Sequence, residues 1–296
     1  MKLISKTVGI FLTLSCASFV GCVTSNNDDD EEAATTSSMA TIVIQKTDHK
    51  DSAAYGYKSG YLVPVQIGKG GKSGEKMLSS LATGNCQVSA EEAKKYLNNR
   101  PKDLTALSVL TTALAVCKKY DAAAFFANLI QKYYPGKSET LNIKALAIVM
   151  APNNRTADFL AAADLFQQAF DASQTEVASG LNLGYLHLEL GNAKAALDAF
   201  QAVSTRCGDC SQARVGFGIA SSRLHRFDKA QQAFETVLDR EPDNFEAMFL
   251  LALVEKTGFK DREKAAKLLR HVVAEAPPQA KDIRAQAEAM LNHMQG

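Results

Sequence analysis

Between residues 71 and 279 apolar side chains recur at helical spacing in stretches split by short polar turns, and the stretches come in pairs. Leu183-Gly184, Gly191, Ala196, Phe200 and Val203 are followed 34 residues later by Phe217-Gly218, His225, Ala230, Phe234 and Val237. Pro242 stands 34 residues after Gly208. A fixed period built of two helices predicts a stacked array in which each hairpin buries its apolar face against the next. Small residues at Gly184, Ala196, Gly218 and Ala230 let paired helices approach. Phe200 and Phe234, one turn later, fill the space between hairpins, and proline closes a unit because it cannot continue a helix.

The pattern extends both ways. Ala265, Leu269, Val272 and Pro277 repeat Ala230, Phe234, Val237 and Pro242 at 35 residues, with the extra residue assigned to the turn Gly258 to Arg262. Pro101 and Pro135 are 34 apart, and Tyr120-Asp121-Ala122-Ala123 echoes Phe227-Asp228-Lys229-Ala230. Ala162, Phe166 and Ala169 keep the second-helix pattern after a longer turn around Pro152. Units are therefore placed at 71–103, 104–137, 138–176, 177–210, 211–244 and 245–279. Ile283, Ala287, Met290, Leu291 and Met294 predict a terminal helix within 280–296 that covers the last hairpin.

Period, small residues and aromatics together resemble the tetratricopeptide repeat. The resemblance implies an all-α fold, a right-handed solenoid of about six hairpins with a C-terminal capping helix. It also implies a concave groove lined by the first helix of each unit. Carried over residue by residue, that groove includes Leu146, Val149, Leu181, Tyr185, Leu188, Val215, Ile219, Phe249 and Leu253. An apolar groove with Tyr185 and Phe249 as anchors suits an apolar segment of a partner protein. The carboxylate-gripping subclass of the family is disfavoured. Only Asn182 matches its pattern, while Ser108, Thr112, Gln212 and Gly216 replace its Lys, Asn, Lys and Arg.

The N-terminus reads as an address. Lys2 and Lys6 precede an apolar run from Val8 to Val20 that is short for a spanning helix. Gly21-Cys22 closes it and resembles the lipobox of bacterial lipoproteins, with Phe19 in place of the usual Leu. That implies a signal peptide at 1–21 and acylation of Cys22, and Val23 after it implies the outer membrane, facing the periplasm. Residues 22–39 read as a disordered acidic tether, whose span is about 20–25 Å. In some bacteria an acidic run such as Asp28 to Glu32 directs surface export, an alternative to a plain spacer.

Residues 40–70 carry β-branched runs at Thr41-Ile42-Val43-Ile44 and Tyr61 to Ile67, as short strands or extended segments packed on the solenoid. Gly68 to Gly74 lacks phosphate-loop spacing and reads as a flexible joint.

Composition narrows the function classes. With 33 basic and 32 acidic residues there is no basic field for nucleic acid. The 45 alanines favour closely packed helices, and 46% hydrophobic residues exclude a largely disordered chain. Once Cys16 is removed and Cys22 acylated, four cysteines remain, which an oxidising compartment would pair. Three connectivities are open. The stacking of hairpin turns in such a solenoid favours Cys86–Cys117 with Cys207–Cys210, the first bridge worth about 3 kcal/mol. Cys207-Gly208-Asp209-Cys210 is also the one motif with redox potential, and a staple is the preferred reading. No nucleophile–base pair or metal-ligand spacing stands out, so neither enzyme, cofactor, metal nor small-molecule substrate is expected.

The layout as a whole is similar to the pilotins of type IV pili and to tetratricopeptide lipoproteins serving barrel assembly or gliding motility. It implies a periplasmic interaction scaffold, held to the membrane by lipid alone, that binds a protein of an envelope complex. A thiol-dependent factor or a surface-exported binding lipoprotein is the alternative.

Overall fold

The computed structural model describes residues 38–45, 60–67 and 71–295, with 153, 175, 176 and 209 excepted. The signal peptide, Cys22, the acidic run and Gly68 to Gly70 lie outside these residues.

Six helical hairpins follow one another: α1 (Gly71–Ala82) with α2 (Cys86–Asn99), α3 (Leu104–Val116) with α4 (Tyr120–Tyr133), and α5 (Ser138–Met150) with α6 (Thr156–Ala172). Then come α7 (Ala178–Glu189) with α8 (Ala193–Cys207), α9 (Ser211–Arg223) with α10 (Phe227–Leu238), and α11 (Phe245–Val254) with α12 (Arg262–Glu275). Each helix packs on its neighbour in the chain, and first helices also meet across units, α3 with α5 and α7 with α9. The result is an α-solenoid.

Local chemistry sets the turns. Gly84, Lys118, Gly191 and His225 all adopt positive φ between the two helices of their hairpins. In each case the next residue's N–H reaches back to a carbonyl of the preceding helix, as in Asn192 to Leu188's neighbour His187 at 2.8 Å and Lys119 to Leu114 at 2.8 Å. These bonds satisfy carbonyls that the helix end would otherwise leave bare. Asn85, Asp103, Asn192, Asn244 and Asp261 then cap the following helices, each side chain accepting a backbone N–H of the first turn.

The core repeats with the hairpins. Ala123, Ala162, Ala196, Ala230 and Ala265 are fully buried on successive second helices, with Phe166, Phe200 and Phe234 fully buried one turn on. A Cβ on Gly184 would lie 2.6 Å from the Phe200 ring, and one on Gly218 would lie 2.6 Å from Phe234. Gly216, on the next hairpin, meets the same Phe200 ring. Phe200 and Phe234 are thus seated in cradles where a Cβ has no room.

Two findings differ from expectation, and a third resolves an open alternative. The extra residue of the last unit is absorbed as a π-helical turn, Glu255–Phe259, that extends α11, rather than in the loop after Gly258. One added residue in a helix widens a turn in this way, and Gly258 fits there because Phe227 packs directly upon it. Gly71 to Gly74 form the first turn of α1, not a joint. Finally, two strands accompany the helices: β1 (Ser38–Gln45) and β2 (Gly60–Ile67) form an antiparallel ribbon with Thr41 opposite Pro64 and Val43 opposite Leu62. The first strand begins two residues inside the stretch read as tether.

After a short 3-10 turn (Pro278–Ala280), α13 (Lys281–Gln295) packs on α12 and α11. Ala287 is fully buried and Ile283, Met290, Leu291 and Met294 join the last core cluster, so the apolar end of the array is closed.

Candidate interaction surface

The first helices α3, α5 and α7 present one shared face, and β2 runs along it. An extended strand of the chain's own N-terminal segment therefore lies across the surface on which a partner segment was expected. α7 carries the most of this contact and α1 supports β1.

Eight of the nine predicted groove residues are buried: Leu146, Val149, Leu181, Tyr185, Leu188, Val215, Ile219 and Phe249, with Leu253 half-buried. They form the floor of the face, not projections from it. Tyr185 in particular packs edge-on against Phe200 at 5.1 Å between ring centroids. Phe249 is only 2% exposed. Both rings are therefore buried in the folded chain and do not stand free in solvent as anchors.

The first helices also carry a seam of buried polar side chains. Ser108, Thr112, Asn142, Ser179, Asn182 and Ser221 are all buried on first helices. Asn182 Nδ2 donates to Asn142 Oδ1 at 2.8 Å, tying α7 to α5. Thr112 Oγ1 donates to the Ser108 carbonyl at 2.8 Å. A buried amide pair costs heavily if one member is lost, so it fixes the register of the two helices. The signal was present as asparagine on the groove face of two adjacent units. It also engages the one residue that matched the carboxylate-gripping pattern.

Arginines bridge hairpins at the helix ends. Arg206, at the end of α8, donates to the carbonyls of Phe170 and Ser173 at the end of α6 and lies 3.3 Å over the Phe170 ring. Arg223, at the end of α9, donates to the Leu188 carbonyl of α7. A cation there meets the negative end of the helix dipole. Near the C-terminal end, buried Glu255 accepts from Lys264 at 2.6 Å and from Gln231 at 2.7 Å. The bond to Glu255, with Glu235 adding to it, holds the Lys264 ammonium above its ordinary pKa.

Both disulfides join expected partners. Cys86, the first residue of α2, bonds Cys117, the C-cap of α3, with Cα atoms 5.6 Å apart. Cys207 bonds Cys210 across the loop between α8 and α9, at 5.7 Å. Cys207 closes α8 at the negative end of its dipole, where a thiolate is disfavoured, the reverse of the helix-opening position of a redox cysteine. His187 is half-buried on α7, and desolvation holds its pKa below the usual value. Among the described residues no group of His, Cys, Asp and Glu is placed to hold a metal ion. Nor is any helix there long and apolar enough to cross a membrane. Among the described residues the large apolar side chains that face solvent are Phe125 and Tyr133 on α4, Leu160 on α6 and Phe259 in the π-helical turn after α11.

Hairpins of two helices stacked with Ala, Gly and Phe at fixed contact positions define a tetratricopeptide-repeat solenoid. The sequence agrees: residues 155–208 and 216–280 match the tetratricopeptide repeat family model. Solved structures with a similar fold include a tetratricopeptide repeat protein from Parabacteroides merdae (15% identity, 76% of this chain and 90% of that chain, TM-score 0.54). TTC0263 from Thermus thermophilus is also similar (15% identity, 62% and 96%, TM-score 0.54). So is pilF from Pseudomonas aeruginosa (14% identity, 72% and 96%, TM-score 0.54). No curated protein matches the chain in sequence. At these identities the likeness is one of fold.

Proposed function

We propose that this chain is a lipid-anchored periplasmic scaffold that holds an apolar, extended segment of an envelope protein and so aids assembly of an outer-membrane machine. A pilus secretin, a β-barrel or a motility complex would be such a machine. The observation that carries the reading is β2: the face of α3, α5 and α7 already accommodates an extended strand, backbone and all. The same face continues onto α9 and α11, where Val215, Ile219, Phe249 and Leu253 keep it apolar. The Gly21-Cys22 junction supports the lipid anchor, and the pilF likeness in fold is compatible with a role in pilus assembly.

Deletion of the gene followed by a count of secretin and barrel oligomers in the outer membrane tests the proposal. The expected result is loss of one class of oligomer, restored by the wild-type chain and not by Cys22→Ser. Normal oligomers without the gene contradict it.

A further inference from the structure

Positive charge converges at the C-terminal end of the array. Lys256 and Lys260 of the π-helical turn, Arg262 of the first turn of α12 and His293 near the end of α13 line one open cavity of about 350 Å³, with Met294 completing its wall. The nearby carboxylates are engaged elsewhere. Glu255 accepts from Lys264 and Gln231, and Asp261 caps α12 by accepting the Lys264 backbone N–H. Among the described residues Lys256, Lys260, Arg262 and His293 pair with no carboxylate, in contrast to Lys264, which meets both Glu255 and Glu235. Arg262 donates to the Met294 carbonyl at the end of α13. A helix end carries only about half a negative charge, so the cavity stays positive. Beside it Phe259 is 41% exposed. Surfaces that meet a bilayer combine these two features, since apolar side chains enter the headgroup layer while cations hold its phosphates.

We propose that this end of the array docks on a bilayer of anionic phospholipid, with a headgroup phosphate seated among Lys256, Lys260, Arg262 and His293 and Phe259 entering the interface. Lysine and arginine give charge-assisted N–H bonds to phosphate oxygens, and imidazole has an N–H to donate in either protonation state. Four donors converging on one cavity suit a single compact headgroup, whereas an acidic peptide calls for cations spaced along a groove. Phe259 adds an apolar contact that free phosphate cannot use. The long stems of Lys256 and Lys260 let their ammonium groups follow the phosphate layer. The site is separate from the face of α3, α5 and α7 and goes beyond the groove proposal.

The test uses the full chain as the cell processes it and footprints its lysines with an acetylating reagent, read by mass spectrometry. Vesicles of phosphatidylcholine alone are compared with an equal mixture of phosphatidylcholine and phosphatidylglycerol. Flotation reads attachment through Cys22 separately, so failure of the anchor and failure of this site are distinguishable. On the anionic vesicles Lys256 and Lys260 should react about fivefold more slowly or better, while Lys94 on α2 and Lys194 on α8, both exposed, keep their rates. Phe259→Ser and Arg262→Gln each remove one contact and leave both reporter lysines in place, and each should restore most of their reactivity. A purely structural role for Arg262 would change the melting temperature and leave the footprint as it was. Equal rates on the two kinds of vesicle overturn the proposal, as does a footprint unmoved by both variants. Equal protection by inorganic phosphate in neutral detergent would make this a free-phosphate site, and equal protection by polyglutamate would assign it to an acidic protein; either result also overturns it.

Discussion

The hairpins α7 to α10 and the hairpins α1 to α4 solve one problem in two ways. In the middle of the array, neighbouring hairpins interlock through Phe200, seated between Gly184 of its own hairpin and Gly216 of the next. At the N-terminal end the matching positions on α2 and α4 hold Ala93 and Ala127. Cys86–Cys117 ties the first hairpin to the second instead, and Lys76 and Lys95 flank the nearly buried Glu92 at 2.9 and 3.1 Å. Where the backbone makes way for a ring, packing suffices. Where it does not, a covalent bond limits the unfolded chain. An array of this kind is a sum of units and seams, so each device should act locally.

Four changes test that contrast. Phe200→Ala empties the shared cradle and should cost about 3–5 kcal/mol, the largest effect. Hydrogen exchange should show α7 to α10 opening first. If α1 and α2 opened equally, the seams would not be local. Replacing Cys86 and Cys117 together by Ser should cost about 3 kcal/mol, read as protease sensitivity of α1 and α2 with α9 and α10 unchanged.

Gly184→Ala separates packing from propensity. In an exposed helix the change would gain about 1 kcal/mol. Here the new Cβ meets Phe200, and a loss of about 1–3 kcal/mol is expected in denaturant unfolding. A gain would mean the ring has room. Lys118→Gly removes a left-handed Lys between α3 and α4 and should gain up to about 1 kcal/mol in the same measurement.

A pH dependence follows from His187 in the middle region. Desolvation lowers its folded pKa below the ordinary value of 6.5, so the unfolded chain takes the proton first. Its contribution is complete above about pH 6.5 and is lost as pH falls through the folded pKa. His187→Gln should flatten stability between neutral and mildly acid pH, and an unchanged slope would assign the effect elsewhere.

Much of this was legible in the sequence because close packing is periodic. Gly184 and Gly218, Ala196 and Ala230, Phe200 and Phe234 announce both the hairpin and its partner. The π-helical turn was visible as a spacing of 35, but spacing counts residues and does not say which turn widens. The ribbon was legible as two β-branched runs. Its seat along α3, α5 and α7 was not, since alternation describes a strand and says nothing about which helices receive it. The groove residues were found at the right helices, yet Tyr185 and Phe249 were read as anchors because a helix hydrophobic on most of its faces does not declare which ring points inward.

The central claim is that the face of the first helices seats an extended strand. Hydrogen exchange of the full chain tests it most directly. Amides of residues 60–67 and of α7 should be protected together, and deletion of residues 38–67 should raise exchange along α7 while α10 and α12 stay as they were. Exchange of 60–67 at the rate of an unfolded chain, with α7 indifferent to the deletion, would contradict the account.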